Sequence, residues 1–260
     1  MAVLPDILQP ALDALLGRGL PAPDDAIGDA SWVPDAPWSW CPRCGAGRGP
    51  LGGNGACGRR DPVWSWEPPA PGSACARCVA GASRAARAPA TVTRLGEHAG
   101  PLRAWVIDVK HARWESMGER LGAELGLQLA RCGVVGPNEP GAVLVPVPTP
   151  WLRMRERGID HAEVLAAAAA GALGLEVVRP LRQRASGTQV DRSSRAGRAH
   201  AFARFAPRGG VMRGRAAVAG RHAIVIDDVR TTGATLAEVS SWLRWMGAAR
   251  IDAGVVSVAS

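Results

Sequence analysis

Apolar and polar positions follow two different patterns after about residue 98. Short, continuously apolar runs predict buried strands, and segments with an apolar residue every three or four positions predict amphipathic helices. The predicted helices are 102–131, 160–173 and 232–246, and the predicted strands are 142–147, 175–178, 223–226 and 251–258. Apolar strands that alternate with helices indicate an α/β domain with a parallel sheet flanked by helices.

The chain divides into three predicted regions. Residues 1–30 carry leucines at helical spacing, interrupted by prolines, and predict a lead-in helix. Residues 31–90 are rich in Gly, Pro, Trp and Cys and show no sustained periodicity. Such a small module needs a stabilising cross-link, such as a bound metal ion or a disulfide, to fold. Residues 98–260 form the predicted α/β domain.

The spacing of the cysteines predicts that this cross-link is a structural zinc ion. Two C-x-x-C pairs, Cys41 with Cys44 and Cys75 with Cys78, are separated by thirty residues. Each pair can bring two thiolates to one tetrahedral Zn²⁺. Cys57 lies in the gap as an alternative ligand, and disulfides or unligated thiols are the other use that such cysteines can have.

Composition and cysteine usage favour a cytoplasmic protein. The first residues lack a basic leader, and Pro5, Asp6 and Pro10 interrupt their apolar positions, which is unlike a secretory signal. The Ala-rich run near residues 164–175 is too short to span a bilayer. Paired C-x-x-C cysteines are typical of metal ligation in a reducing compartment. We therefore expect a cytoplasmic chain without a membrane span.

Positive charge is concentrated in one stretch. The chain has a formal net charge of +8, and ten arginines but a single acid lie between Arg182 and Arg221. Such a stretch predicts contact with a polyanion, either nucleic acid or a phosphorylated small molecule. The codon bias of a GC-rich genome is the alternative reason for the arginines. Lys110 is the only lysine; it is either a surface lysine left by chance or a position that uses a compact ammonium charge.

The segment AIVIDDVRTTGAT, residues 223–235, predicts a phosphate site. Four apolar residues form a strand that ends at Asp227 and Asp228, and TTGAT leads into a helix. Ligands of parallel sheets bind beyond the carboxyl ends of the strands, and a helix start offers N–H groups and partial positive charge to phosphate. Carboxylates beside a phosphate suit sugar hydroxyls, so the segment describes a ribose 5-phosphate site. An ordinary strand–turn–helix with Asp and Thr as caps is the alternative. The phosphate loop comprises Val229, Arg230, Thr231, Thr232, Gly233, Ala234 and Thr235.

This segment resembles the phosphoribosyl pyrophosphate motif of the type I phosphoribosyltransferases, which has four apolar residues, two acids and a loop ending in T-T/S-G-x-T. The resemblance implies that Asp227 and Asp228 are the catalytic residues and bind the ribose 2′- and 3′-hydroxyls. It implies that Thr231 to Thr235 hold the 5-phosphate. It also implies that pyrophosphate is displaced from the anomeric carbon, and that Mg²⁺ arrives with the substrate.

A cysteine module followed by such a domain resembles the ComF family, which is associated with DNA uptake in competent bacteria. Residues 143–166 resemble the family's V-P-V-P…R-x-R-G block, and residues 188–202 resemble its flexible cover loop. His161 and Arg198 depart from the family's pattern. The resemblance implies a pyrophosphate side formed by Lys110, Pro148, Thr149, Arg153 and Arg157, and a cover loop containing Gln189 and Arg195.

Two functions follow as expectations. The first is a phosphoribosyltransferase that binds phosphoribosyl pyrophosphate and transfers the sugar phosphate to an unidentified acceptor. The second is a single-stranded DNA-binding accessory factor for DNA uptake that retains the phosphate site without catalysis, which the basic stretch and the cysteine module favour. A regulatory sensor of phosphoribosyl pyrophosphate is a third interpretation.

Overall fold

A five-stranded parallel sheet forms the centre of the protein in a computed structural model, which describes residues 20–47, 78, 87–111, 114–151, 154–155, 158–184 and 204–259. Its strand order is β1-β7-β6-β2-β3, and every neighbouring pair is parallel. The strands of this sheet are β1 (Val92–Glu97), β2 (Ala142–Pro146), β3 (Glu176–Val177), β6 (His222–Arg230) and β7 (Arg250–Val258). The predicted α/β architecture is confirmed.

Helices cover both faces of the sheet, and a small antiparallel hairpin stands beside it. The helices are α1 (Pro23–Asp29), α2 (Gly100–His111), α3 (Glu115–Arg131), α4 (His161–Leu173), α5 (Val211–Val218) and α6 (Ala234–Trp245). The hairpin consists of β4 (Leu181–Gln183) and β5 (Phe205–Pro207). Within the described residues, none of these helices combines the length and apolar character that a membrane span needs.

Two apolar cores lie on opposite faces of the sheet because strand side chains alternate. Ile224 and Ile226 of β6 belong to the core that α2, α3 and α4 cover. Val225, between them, belongs to the core that α6 covers. Burial of apolar side chains on both faces explains why these strands have continuously apolar sequences.

Helices α3 and α4 approach each other closely because glycines line their interface. A Cβ at Gly122 would lie 2.6 Å from the backbone oxygen of Leu165, and one at Gly126 would lie 2.8 Å from that of Ala169. Any side chain there would collide with backbone, so the tight pairing requires glycine. This contact holds the beginning of α4 beside the edge of the sheet where the candidate site lies.

Several elements differ from the sequence-based expectation. The predicted helix 102–131 is two helices, because Trp114 has non-helical backbone angles (φ −77°, ψ 70°) and buries its side chain in the core. Strand β6 continues past residue 226 to Arg230, so the two acids lie within the strand. Helix α6 starts at Ala234 instead of residue 232, because Gly233 precedes it in the left-handed region (φ 77°).

Strand β1, the hairpin and α5 have no counterpart among the predicted elements. Strand β1 lies ahead of residue 98 and pairs with β7. Its Arg94 interrupts the apolar pattern yet is buried, because its guanidinium pairs with Asp35 at 2.6 Å and donates to the carbonyl oxygen of Gly45 at 3.0 Å. A charged residue that the sequence pattern places at a surface thus lies in the interior.

Candidate functional site

The residues with candidate chemistry meet at the carboxyl edge of the sheet. Asp227 and Asp228 lie near the end of β6, and the loop to α6 follows them. Pro148 and Thr149 follow β2, which pairs with β6. His98 follows β1, and its backbone N–H donates to Val258 at the end of β7. A parallel sheet brings the ends of these strands together, as expected for a ligand site.

Asp228 is held by two basic side chains from different helices. It is 7% exposed, and its Oδ2 forms an ion pair with Nζ of Lys110 near the end of α2. The Nε2 of His161, the first residue of α4, lies 3.4 Å from the same oxygen. The other oxygen, Oδ1, accepts a hydrogen bond from the backbone N–H of Val229 at 2.6 Å. Both carboxylate oxygens of Asp228 therefore have partners within the protein.

The pKa values of the two neighbouring acids move in opposite directions. Burial raises the pKa of Asp227 well above its usual range, and the negative charge of Asp228 raises it further. Burial also acts to raise the pKa of Asp228, but the charges of His161 and Lys110 outweigh it and the pKa lies below its usual value. Two adjacent carboxyls cannot both ionise easily. As pH rises, Asp228 therefore ionises before Asp227, and Asp227 keeps its proton to higher pH.

The phosphate loop brings positive charge to the start of α6. Gly233 adopts φ 77°, and a Cβ there would lie 3.1 Å from both Nε and Nη2 of Arg230, so the guanidinium lies against this glycine. The hydroxyl of Thr232 accepts a hydrogen bond from the N–H of Ala234 at 3.3 Å. Thr231 and Thr232 are exposed. A helix start with exposed hydroxyls and an arginine beside it is suited to an anion.

A second arginine, which sequence reasoning did not single out, lies at the same helix. Nη1 of Arg204 donates to Oγ1 of Thr235 at 3.3 Å, and its Nε pairs with Glu238 of α6 at 2.8 Å. Arg204 precedes β5, so the hairpin is tied to the first turns of α6. The only sequence signal for it was its place among the many arginines after Arg182.

The loop after β2 is anchored to the start of α4. Oγ1 of Thr149 donates to Oδ1 of Asp160 at 2.9 Å, and the same oxygen accepts the N–H of Glu163 at 3.4 Å. Asp160 is therefore the N-cap of α4, with Glu163 three residues after it. Pro148 lies in the same loop. Two further pyrophosphate-side predictions, Arg153 and Arg157, and both cover-loop predictions, Gln189 and Arg195, lie outside the described residues.

His98 joins this cluster without any sequence signal. Its Nδ1 lies 2.9 Å from Oγ of Ser257 on β7. Burial lowers the pKa of His98, and the charges of Lys110 and Arg103 lower it further, while Asp228 acts in the opposite direction. The imidazoles of His98 and His161, the Lys110 ammonium group and the Asp228 carboxylate thus lie in the same corner of the site. Lone histidines at strand and helix ends are recognisable as neighbours only in three dimensions.

Three cysteines of the N-terminal module form a cluster that could bind a metal. Ligand atoms of Cys41, Cys44 and Cys78 all lie within 4.8 Å of one another. A hydrogen bond with Cys41 raises the pKa of the Cys44 thiol, and burial raises it further. Cys75 and Cys57 lie outside the described residues. The thiols and their spacing fit a zinc ion, which binds sulfur ligands tetrahedrally.

The cysteine module is attached to the outer edge of the sheet. Nε1 of Trp40 donates to the carbonyl oxygen of Val92 at 3.1 Å, and the N–H of Val92 donates to Pro42. Gly45 (φ 67°) fits against the side chains of Val92 and Val258 at the start of β1 and the end of β7. Residues 40–45 of the module therefore cover the outer edge of β1, where backbone groups would otherwise lack partners.

Of the comparisons with known proteins, only the comparison with solved structures found similarity. No protein-family model matches the chain, and no curated protein matches it. One structure described as the allosteric regulatory enzyme of purine biosynthesis aligns with a TM-score of 0.36 and 20% identity over 53% of this chain. The glutamine phosphoribosylpyrophosphate amidotransferase of B. subtilis, solved with ADP and GMP, aligns with a TM-score of 0.38 and 17% identity over 59%. The aligned regions span only 25% and 30% of those two chains.

Proposed function

We propose that the carboxyl edge of the sheet binds a ribose 5-phosphate group, as in phosphoribosyl pyrophosphate. The observation that carries the proposal is the continuous arrangement along one segment. Asp227 and Asp228 lie near the end of β6, before Arg230, Gly233 then turns the chain in the left-handed region, and α6 starts at Ala234. The phosphate lies at the helix start, and the pentose lies beside the acids.

The 5-phosphate is bound by groups of complementary charge. The loop from Val229 to Thr235 supplies backbone N–H groups and threonine hydroxyls, and Arg230 lies against Gly233 within it. Such a nest at a helix start binds a phosphate because both the hydrogen bonds and the helix dipole favour negative charge. Carboxyl oxygen beside the loop accepts hydrogen bonds from the sugar hydroxyls, which a phosphate ligand without a sugar would lack.

The reaction that fits this site is transfer of the phosphoribosyl group to an acceptor. The acceptor's lone pair forms a bond to the anomeric carbon as the bond to pyrophosphate breaks, and the electron pair leaves with pyrophosphate. The loop Pro148–Thr149, with the predicted Arg153, Arg157 and Lys110, forms the pyrophosphate side. Mg²⁺ bound with the substrate would neutralise charge on the pyrophosphate. The protein's own contribution is positioning and electrostatic stabilisation.

Zinc at the cysteine module completes the proposal as a structural cofactor. Cys41, Cys44 and Cys78 supply three ligands and Cys75, by its C-x-x-C spacing, the fourth. The module of residues 31–90 then stabilises the α/β domain by covering β1. Metal analysis of purified protein tests this: one zinc per chain is expected, and Cys75→Ser should reduce retention of zinc against a chelator.

Calorimetry tests the ligand. Phosphoribosyl pyrophosphate with Mg²⁺ should bind wild-type protein, and Asp227→Asn should weaken it at least about tenfold, or about 1.4 kcal/mol. Asp25→Asn is the matched control, because Asp25 is an exposed acid on α1. Release of pyrophosphate in the presence of a panel of nucleobases then tests transfer. Absence of binding by wild-type, zinc-loaded protein would refute the proposal.

A second candidate function, binding of single-stranded DNA, is favoured by the exposed arginines of the hairpin and α5. Within the described residues these include Arg182, Arg184, Arg208, Arg213 and Arg215. A DNA-binding accessory factor for DNA uptake would lose affinity steeply with salt, and its binding would survive Asp227→Asn if the DNA site is separate. No measurable DNA affinity at low salt would exclude this second function.

A further inference from the structure

The Asp228 carboxylate has protein partners on both of its oxygens. One oxygen accepts the N–H of Val229, and the other pairs with Lys110 and faces His161. Lys110 belongs to α2 and His161 to α4, so the carboxylate links two helices to the end of β6. A sugar hydroxyl could reach it only by competing with partners that are already in place.

The histidine side of this arrangement continues to the loop after β2. His161 is the first residue of α4, and the preceding residue, Asp160, caps the helix and accepts the hydroxyl of Thr149. Adjacent residues at a capped helix start move together, because the cap fixes the backbone of the first turn. A shift of His161 would therefore disturb both its contact with Asp228 and the hydrogen bond between Asp160 and Thr149.

Asp227 has a different environment. It is half-buried, its Oδ1 accepts a hydrogen bond from the backbone N–H of Asp228 at 3.0 Å, and its carboxyl also interacts with the carboxyl of Asp228. No ion pair to Asp227 occurs among the described residues. Of the two acids, it is the one whose carboxyl can exchange its present environment for the hydroxyls of a ligand.

We propose that His161 is a positioning residue that, together with Lys110, fixes the Asp228 carboxylate. Through the neighbouring cap residue Asp160, His161 also aligns that carboxylate with the loop at Thr149. As a result, Asp227 is the acid that contacts the pentose. The inference rests on the proposed function for its ligand, but the pairing itself exists without ligand. The opposite pKa directions of Asp227 and Asp228 are consistent with this division.

The pairing can be tested without any ligand. Carbon-13 NMR of the aspartate carboxyls, with Asp228→Asn to identify the resonance, reports the titration of Asp228. In wild-type protein Asp228 should remain ionised to lower pH than in His161→Leu, and His161→Gln, which keeps an N–H donor, should restore most of the difference. Equal titration in wild type and His161→Leu would overturn the pairing. Should the leucine variant not fold, an Asp228 titration in wild type at or above the value of a free aspartate would do the same.

A ligand-binding cycle tests the positioning role. His161→Leu should weaken binding of phosphoribosyl pyrophosphate with Mg²⁺ about tenfold, and His161→Gln should bind within about threefold of wild type. In the Asp228→Asn background, His161→Leu should cause little further loss, because residues that act through one another are not additive. Equal losses in both backgrounds would show that His161 acts independently of Asp228. If wild type binds no ligand at all, the proposed function fails while the NMR titration still decides the pairing.

Discussion

Replacing Gly233 with alanine tests the phosphate loop at its most constrained point. Gly233 has φ 77°, and an added Cβ would lie 3.1 Å from Nε and Nη2 of Arg230. The left-handed backbone costs an L-residue about 1–2 kcal/mol, and Arg230 must also move away from the loop. We expect Gly233→Ala to lower the free energy of unfolding by about that amount, and to weaken binding of phosphoribosyl pyrophosphate at least about tenfold.

Gly220 provides a matched control for the backbone effect. It has φ 72°, nothing lies within 4 Å of an added Cβ, and it precedes β6 at the opposite edge of the sheet. Gly220→Ala should therefore cause a similar loss of stability, about 1–2 kcal/mol, without loss of ligand affinity. Urea unfolding measures the first quantity and calorimetry the second. If Gly233→Ala binds the ligand as wild type does, or if both variants lose affinity equally, the loop is not the phosphate site.

Three further predictions address charge. Because the pKa of Asp227 is raised, ligand affinity should increase as pH rises through that pKa and the carboxyl becomes an acceptor, and Asp227→Asn should flatten this dependence in calorimetry. Asp252 is fully buried, and although burial acts to raise its pKa, the hydrogen bond with His222 helps to keep that pKa below the usual value. Asp252→Ala should lower the free energy of unfolding by about 3–5 kcal/mol near neutral pH, measured by urea unfolding. The loss should shrink as pH falls through the lowered pKa. Arg94→Met should lower the free energy of unfolding by about 3 kcal/mol, because it leaves Asp35 without its buried partner. The variant should also lose zinc to a chelator faster than wild type. Zinc retention equal to wild type would show that the cysteine module does not depend on this contact.

Much of the α/β framework could be predicted from the sequence because its determinants are local. The apolar runs of β2, β6 and β7 are buried on both faces, which leaves a continuous apolar signature. The N-cap at Asp160 depends on residues only three positions apart. The acids, the glycine and the threonines of the phosphate loop follow one another in sequence, so their order could be read directly.

Other features depended on contacts between distant segments. Strand β1 was missed because Arg94 reads as a surface residue until Asp35 and Gly45 are placed against it. The division of 102–131 into two helices depends on the burial of Trp114, which local periodicity does not encode. Long-range ion pairs leave no periodic trace in a single sequence.

The sequence by itself determined which groups follow one another at the candidate site, since strand, paired acids, glycine and threonines are contiguous between residues 223 and 235. Only the tertiary structure decided how the two acids differ. Lys110 and His161 lie more than fifty residues from Asp228 along the chain, yet both contact its carboxylate because α2 and α4 pack on the same face of the sheet. The charge state of each acid depends on that packing, because burial and neighbouring charges, not residue type, decide which carboxyl is ionised.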